Sequence, residues 1–397
     1  MAAAGWLIVA ALVGPLAVSI GQSGSTMQAK NNLFLHLGLA AALWLVRSWW
    51  LRAGVAWAWA TFFLSGMYGW AFIGVLGVLA WALVFQASST LTSTWWRRVQ
   101  LGITSAALFQ MVWMAVQARG GGQRFWFVTW MPLDYYARPL PAAPIPVTGW
   151  FSNPMDAGLF MAMSLPALWA VHPLLILPAL VALVVLGSSA ALLVTFGFLL
   201  WQAFTRSWRW GVGMLAPLGL GGLAFWWYVD PQGLGYRPFI WTIGSRLIEH
   251  RPMGYGINSL DYRVVIEGSG GRYNFLLSDW LQWTFETGAI GLILAACFAG
   301  MLAWRAWRAW PEGREHIAPA FMLLGLSLIS IPFRIGPVAF LGALYLGRLY
   351  AETCAATADA DRWWRDEWRG THPVPGLYPE FSTAAANPTT CMFWRIT

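Results

Sequence analysis

Long stretches without a charged residue decide what this chain can fold into. The stretch at 289–304 holds only apolar and small residues, and similar stretches recur along the chain. Hydrophobic residues make up 58% of the 397 residues and charged residues 10%, whereas soluble proteins carry about 25% charged residues. A water-soluble core cannot absorb so much apolar surface, and the stretches do not alternate as barrel strands do. The sequence therefore predicts an all-α polytopic integral membrane protein.

The apolar stretches predict about 12 transmembrane helices. They lie at 5–20, 33–46, 54–64, 68–85, 101–116, 157–171, 174–186, 190–204, 212–228, 289–304, 317–331 and 336–350. If the N-terminus is cytoplasmic, every second short loop collects arginine, as the positive-inside rule requires. We therefore expect a membrane domain at 1–350, a cytoplasmic tail at 351–397 and both termini in the cytoplasm of a bacterial-type inner membrane.

Several function classes are disfavoured by composition. The net charge of +8 comes from arginines that flank apolar stretches rather than from a basic stripe on a soluble module, so we expect no nucleic-acid partner. The three cysteines and five histidines show no metal-ligand spacing, so we expect no metal or other cofactor. A transporter would need intramembrane charges and helix repeats that are not evident. The glycines at 66–77 are expected to let helices pack closely: Gly66, Gly69, Gly74 and Gly77.

A long polar segment, the external loop at 229–288, breaks the apolar pattern. Its first part places Ile240, Ile243 and Leu247 on one helical face, which predicts a short interfacial helix. Pro252 and the turn at 254–256 should end that helix. The loop also carries five arginines: Arg237, Arg246, Arg251, Arg263 and Arg272. Guanidinium groups suit phosphate, so these arginines indicate an anionic ligand, although long loops also cross membranes whatever their charge.

Three motifs carry a resemblance to a known family. They are GWFSNPMDAGLFMAMSLPAL at 149–168, GYRPFIWTIGSRLIEHRPMGYGINSL at 235–260 and SDWLQWTFETGAIGLI at 278–293. In order and spacing they resemble the superfamily of O-antigen ligases, O-antigen and exopolysaccharide polymerases and bacterial protein O-oligosaccharyltransferases. The resemblance implies a metal-independent, inverting glycosyltransferase. Such an enzyme moves a glycan from a polyprenyl-diphosphate carrier to a hydroxyl of a lipid, glycan or protein acceptor outside the inner membrane.

The resemblance also implies roles for individual residues. Arg237 matches the family's loop arginine and would contact the diphosphate. Pro252, Gly254, Gly256 and Gly288 match positions that build the turn and the start of the following helix. Glu286 matches another position there, as an architectural residue or a partner for an arginine.

The sequence departs from the family at two positions used for chemistry. Leu277 stands where ligases usually have a histidine, and Ser189 stands where an arginine is common. If the protein is catalytic, another group must accept the proton, and Asp279 is the first candidate, ahead of Glu286 and His250. An alternative role for Asp279 is a helix N-terminal carboxylate. The departures leave open a non-catalytic homologue that binds lipid-linked sugar or assists envelope assembly.

The remaining candidates are substrate-binding residues. The side chains of Arg246, Arg251 and Gln282 would contact the donor or acceptor. Asn153 would contact sugar or, alternatively, cap the following helix. Arg334 would be a further phosphate contact or an interfacial anchor.

Overall fold

The computed structural model describes residues 43, 45–46, 48–62, 68–119, 147–149, 151, 154–215, 237–257, 276, 278–308 and 314–368. Every regular element within these ranges is helical. We number the helices α1 (Trp49–Phe62), α2 (Tyr68–Ser88), α3 (Ser93–Ala118), α4 (Pro154–Val171), α5 (Ile176–Leu186), α6 (Ser189–Arg206), α7 (Arg237–His250), α8 (Asp279–Arg308), α9 (Arg314–Ile329) and α10 (Gly336–Trp368). Two 3₁₀ turns, Pro173–Leu175 and Pro332–Arg334, precede α5 and α10.

Four of the described helices are long and apolar enough to cross a membrane: α3, α4, α6 and α8. Three shorter apolar segments accompany them, at 73–88, 173–186 and 317–329. The chain therefore has the character of a helical membrane protein. The total of about 12 spans stays a prediction, since the expected span at 5–20 and nearly all of the one at 33–46 lie outside the described residues.

Helices α8 and α10 extend furthest beyond the limits that hydropathy predicts. Helix α8 begins at Asp279, well before the expected start at 289, so its first part belongs to what we took as loop. That part is polar yet buried, with Glu286 and Thr287 fully shielded from solvent. Helix α10 continues past the expected end at 350, and an ion pair between Arg348 and Glu352 at 2.8 Å supports the continuation.

Helix α4 forms the centre of the described bundle. All of its residues from 157 to 168 are buried, and α3, α5, α6, α9 and α10 pack around it. By contrast, α5 exposes one apolar side, with Leu177 and Val181 each more than half exposed. An exposed apolar helix face on such a bundle is suited to contact with lipid chains rather than water.

Helix α7 packs across the first part of α8. Ile240 of α7, Phe285 of α8 and Leu276 form a small buried cluster, while Arg246 and Glu249 face solvent. The short helix that the sequence predicts is thus present, and it ends at His250 as expected. Its position brings the turn after α7 against the middle of α8.

Candidate functional site

The centre of the site is a break in α8 at Gly288. This residue has φ 71° and ψ −172°, which interrupts the helical backbone. The turn that follows α7 fills the gap. The amide of Ala289 donates to the carbonyl of Pro252, and the amides of Tyr255 and Gly256 donate to the carbonyls of Phe285 and Glu286, each at 2.9 Å. The turn thereby replaces helical hydrogen bonds that α8 loses at the break.

A third carbonyl at the break has a partner from another helix. The indole nitrogen of Trp57, on α1, donates to the carbonyl oxygen of Thr287 at 2.8 Å. Such groups are costly to leave unpaired in a membrane, so the partners make the break a stable feature rather than a defect. The break therefore ties α1, α7 and α8 together at one point.

Only glycine fits at the two closest backbone positions of the break. Gly254 and Gly288 both have positive φ, and a Cβ atom on either would collide with the other segment's backbone. On Gly254 it would meet Gly288 and Glu286, and on Gly288 it would meet Met253 and Pro252. Gly256 also has positive φ. The predicted structural role of Pro252, Gly254, Gly256 and Gly288 is consistent with this geometry.

A polar row runs along the first two turns of α8. Asp279, Gln282 and Glu286 follow each other at helical spacing, and all three are buried. Gln282 connects them to the incoming chain: its side-chain oxygen accepts from the amide of Leu276 at 3.2 Å, and its nitrogen donates to Glu286 Oε1 at 3.0 Å. The side-chain amide of Gln282 therefore bridges Leu276 and Glu286. It remains a candidate substrate contact.

Asp279 lies where α8 meets the turn between α9 and α10. Its backbone amide donates to the carbonyl of Ser330 at 3.0 Å, and its Oδ2 accepts from the amide of Phe333 at the same distance. The hydroxyl of Ser330 in turn lies 3.9 Å from the sulfur of Met155, at the start of α4. The ends of α4, α8 and α9 thus meet around this carboxylate.

An apolar cavity of about 1330 Å³ opens beside Asp279. Helices α1, α2, α6, α8, α9 and α10 line it, and the lining residues of α8 extend from Asp279 at its start to Trp307 near its end. Beyond the break at Gly288, the part of α8 that lines the cavity, from Leu294 to Trp307, corresponds to about 20 Å of helix. The polar side chains at the Asp279 end include Gln282 and Ser327. A cavity with one polar end and a long apolar body suits an amphipathic ligand with a long tail.

One expectation about close packing is wrong at this cavity. We expected Gly74 and Gly77 to bring helices together, but both line the cavity, and a Cβ atom on Gly77 would meet nothing within 4 Å. These small residues leave space in the cavity instead of bringing helices into contact.

The candidate arginines at 237, 246 and 251 lie away from the cavity walls. Arg237 is the first residue of α7 and is half-buried, Arg246 is exposed, and Arg251 places its guanidinium 5.2 Å from the ring centre of Tyr255. Tyr255 stacks on Phe285 at 4.4 Å, so Arg251 is coupled to the break in α8. Among the described residues that line the cavity, none is one of these three arginines.

The remaining positions singled out from the sequence are Asn153, Leu277, Arg334 and His250. Asn153 and Leu277 lie outside the described residues, and only the backbone of Arg334 is described. That backbone belongs to the 3₁₀ turn whose Phe333 amide binds Asp279. His250 is exposed at the end of α7.

Sequence reasoning missed the residues that complete the polar end of the cavity. The indole of Trp280 donates to the hydroxyl of Ser327 at 2.9 Å, and Ser278 lies 3.5 Å from the Ser327 carbonyl. The signal was the pair Ser327 and Ser330 in the apolar stretch at 317–331, because polar residues three apart would share one face of the predicted helix.

Comparison with known proteins adds no relative to this description: no protein-family model and no curated protein matches the chain.

Proposed function

We propose that this protein is a membrane glycosyltransferase that moves a glycan from a polyprenyl-diphosphate carrier to a hydroxyl acceptor on the external face of the inner membrane. The observation that carries the proposal is the cavity that runs from Asp279 to Trp307, polar at one end and apolar along its body. A carrier lipid has the same division between a charged head and a long apolar tail. The three motifs at 149–168, 235–260 and 278–293 give the proposal its reaction class.

The carboxylate of Asp279 is our candidate general base. During transfer the acceptor oxygen bonds to the anomeric carbon, the bond from that carbon to the phosphate oxygen breaks, and the acceptor proton passes to the carboxylate. Asp279 is buried, with 8% of its surface exposed, and it lines the polar end of the cavity. Glu286, behind it in the polar row, would hold Gln282 in place.

Arg237 is our candidate for the leaving diphosphate. Arg237 begins α7 and matches the family's loop arginine. A guanidinium there would stabilise the charge that develops on the departing phosphate. Arg246 and Arg251, on the same helix and the turn after it, would extend the positive surface toward the donor head group.

A non-catalytic homologue is the second candidate, and a specific contact favours it. Asp279 Oδ2 already accepts the Phe333 amide, as a purely structural helix-terminal carboxylate would. The presence of Leu277 where the family usually has a histidine also favours a non-catalytic homologue. Such a protein would bind lipid-linked sugar or assist envelope assembly without transferring the glycan.

The experiment that separates the two is transfer by purified full-length protein, with several polyprenyl-diphosphate glycans and hydroxyl acceptors. Arg237→Ala should lose donor binding while its unfolding temperature stays that of wild type. Arg119→Ala, which removes an exposed arginine at the end of α3, is the matched control and should transfer normally. Donor binding without turnover by wild type would favour the non-catalytic homologue, and absence of donor binding would contradict both.

A further inference from the structure

A basic surface lies at the end of the bundle opposite to Asp279. Met155, beside the Asp279 end, and Trp169 belong to the same helix α4, about 21 Å apart along its axis. At the Trp169 end, the guanidinium of Arg206 lies 5.4 Å from the Trp169 ring centre. This contact joins the last turns of α4 and α6.

Helix α6 ends at Arg206, and the residues that follow add further aromatic and basic side chains. Ser207 is extended, and its hydroxyl accepts from the amide of Arg209 at 3.3 Å, which starts a new helical segment at 208–215. The guanidinium of Arg209 lies 5.9 Å from the Trp208 ring centre. Trp208 is 67% exposed and Trp210 is 68% exposed. We call Trp169, Arg206, Trp208, Arg209 and Trp210 the basic-aromatic patch.

The stretch of sequence that contains the patch has no acidic residue to balance its positive charge. Residues 157–229 contain no Asp or Glu. Within the part of the chain that the structure describes, neither Arg206 nor Arg209 forms an ion pair, and both are exposed. Exposed indoles favour the membrane–water interface, and exposed arginines beside them favour phosphate.

We propose that the basic-aromatic patch binds the phosphodiester head group of an anionic phospholipid in the leaflet opposite the Asp279 end. Charge complementarity selects the anionic lipid over a zwitterionic one. The contact between Arg206 and the half-buried Trp169 of another helix holds that guanidinium in place, so less side-chain freedom is lost on binding. This distinguishes the patch from Arg98, whose guanidinium lies 4.6 Å from the exposed Trp95 of its own helix.

The proposal concerns lipid binding alone and stands apart from glycan transfer. The test measures how added phosphatidylglycerol and phosphatidylcholine raise the unfolding temperature of the full-length protein, with native mass spectrometry counting retained lipids. Wild type should prefer phosphatidylglycerol, and that preference should fall as salt is raised. The double variant Arg206→Gln with Arg209→Gln should bind phosphatidylglycerol about 30-fold more weakly, because each arginine contributes about 1 kcal/mol. Its unfolding temperature in phosphatidylcholine should match that of wild type.

The matched control is Arg97→Gln with Arg98→Gln, which also removes two exposed arginines from a helix end. It should keep the preference for phosphatidylglycerol. Equal loss in both double variants would mean general attraction to charge and would overturn the proposal. An unchanged Arg206 and Arg209 variant, or a wild-type preference that salt does not reduce, would also overturn it. Inorganic phosphate should not replace the lipid, because it lacks the apolar chains that place the head group at the indoles.

Discussion

The backbone amide of Ala289 donates to the carbonyl oxygen of Pro252 at 2.9 Å. This hydrogen bond joins the middle of a long helix to a turn from a different segment of the chain. The turn at 252–256 thus packs against α8 at the end of the polar row, whose Asp279 and Gln282 line the cavity. The position of Asp279 and Gln282 therefore depends on how well that turn fits the break at Gly288.

Replacing Gly288 with alanine should destabilise the protein. A side chain at this positive φ is strained, which costs about 1–3 kcal/mol, and its Cβ would collide with Met253 and Pro252. Thermal unfolding in detergent should show a lower midpoint. Gly300→Ala is the matched control on the same helix, because a Cβ atom there meets nothing within 4 Å. Equal midpoints for the two variants would contradict the role of the break.

Replacing Asp279 with asparagine should abolish transfer and leave donor binding intact. Asparagine keeps an oxygen for the Phe333 amide but cannot accept a proton as the carboxylate does, so the rate should fall about 10²–10⁴-fold. Initial rates at saturating donor measure the effect. Glu249→Gln, at an exposed position on α7, is the control and should retain wild-type rates. An Asp279→Asn enzyme with normal turnover would exclude this residue as the base.

Replacing Gln282 with leucine should disturb the polar row. The Glu286 carboxylate would lose one donor and the Leu276 amide would lose its acceptor, at a cost of about 1–3 kcal/mol. The unfolding midpoint and the proteolysis rate between α7 and α8 both report the change. Gln100→Leu, at a half-buried position on α3, should have little effect. Similar stability of the two variants would show that the bridge is unimportant.

A larger side chain in the cavity should raise the KM of donors with long tails more than that of donors with short tails. Ala299 lines the cavity, so Ala299→Phe should raise the KM for long-chain donors about tenfold, equivalent to ~1.4 kcal/mol, while short-chain donors react as before. Ala296→Phe places the same bulk at an exposed position of α8, outside the cavity lining. It should behave as wild type with both donors. An equal effect on long and short donors would argue against a tail in the cavity.

Parts of this architecture follow directly from the sequence. The apolar stretches predict helices where α4 and α6 occur, because their lengths and lack of charge suffice. The end of α7 was also predictable, since Pro252 cannot continue a helix and Gly254 permits a reversal. A helix start at Asp279 was one of the two roles considered for this carboxylate, because acidic residues favour that position.

Other parts depend on contacts between distant segments and could not be read from local pattern. Glu286, Thr287 and Gly288 resemble loop residues in sequence, yet they lie inside α8, because the turn after α7 and the indole of Trp57 satisfy the backbone at the break. The cavity has no local signature either. Its walls combine small residues such as Gly77 and Ala299 from different helices, and only their arrangement shows that the space between them is open.

The most direct test of the central claim is photocrosslinking of a polyprenyl diphosphate that carries a diazirine near the end of its tail. Purified full-length protein would be irradiated, digested and sequenced by mass spectrometry. We predict labels on the cavity-lining residues of α8 between Leu294 and Trp307, lost when unlabelled polyprenyl diphosphate competes. Labels confined to the outer surface of α5, or labels that competitor does not reduce, would contradict the claim that this cavity holds the carrier lipid.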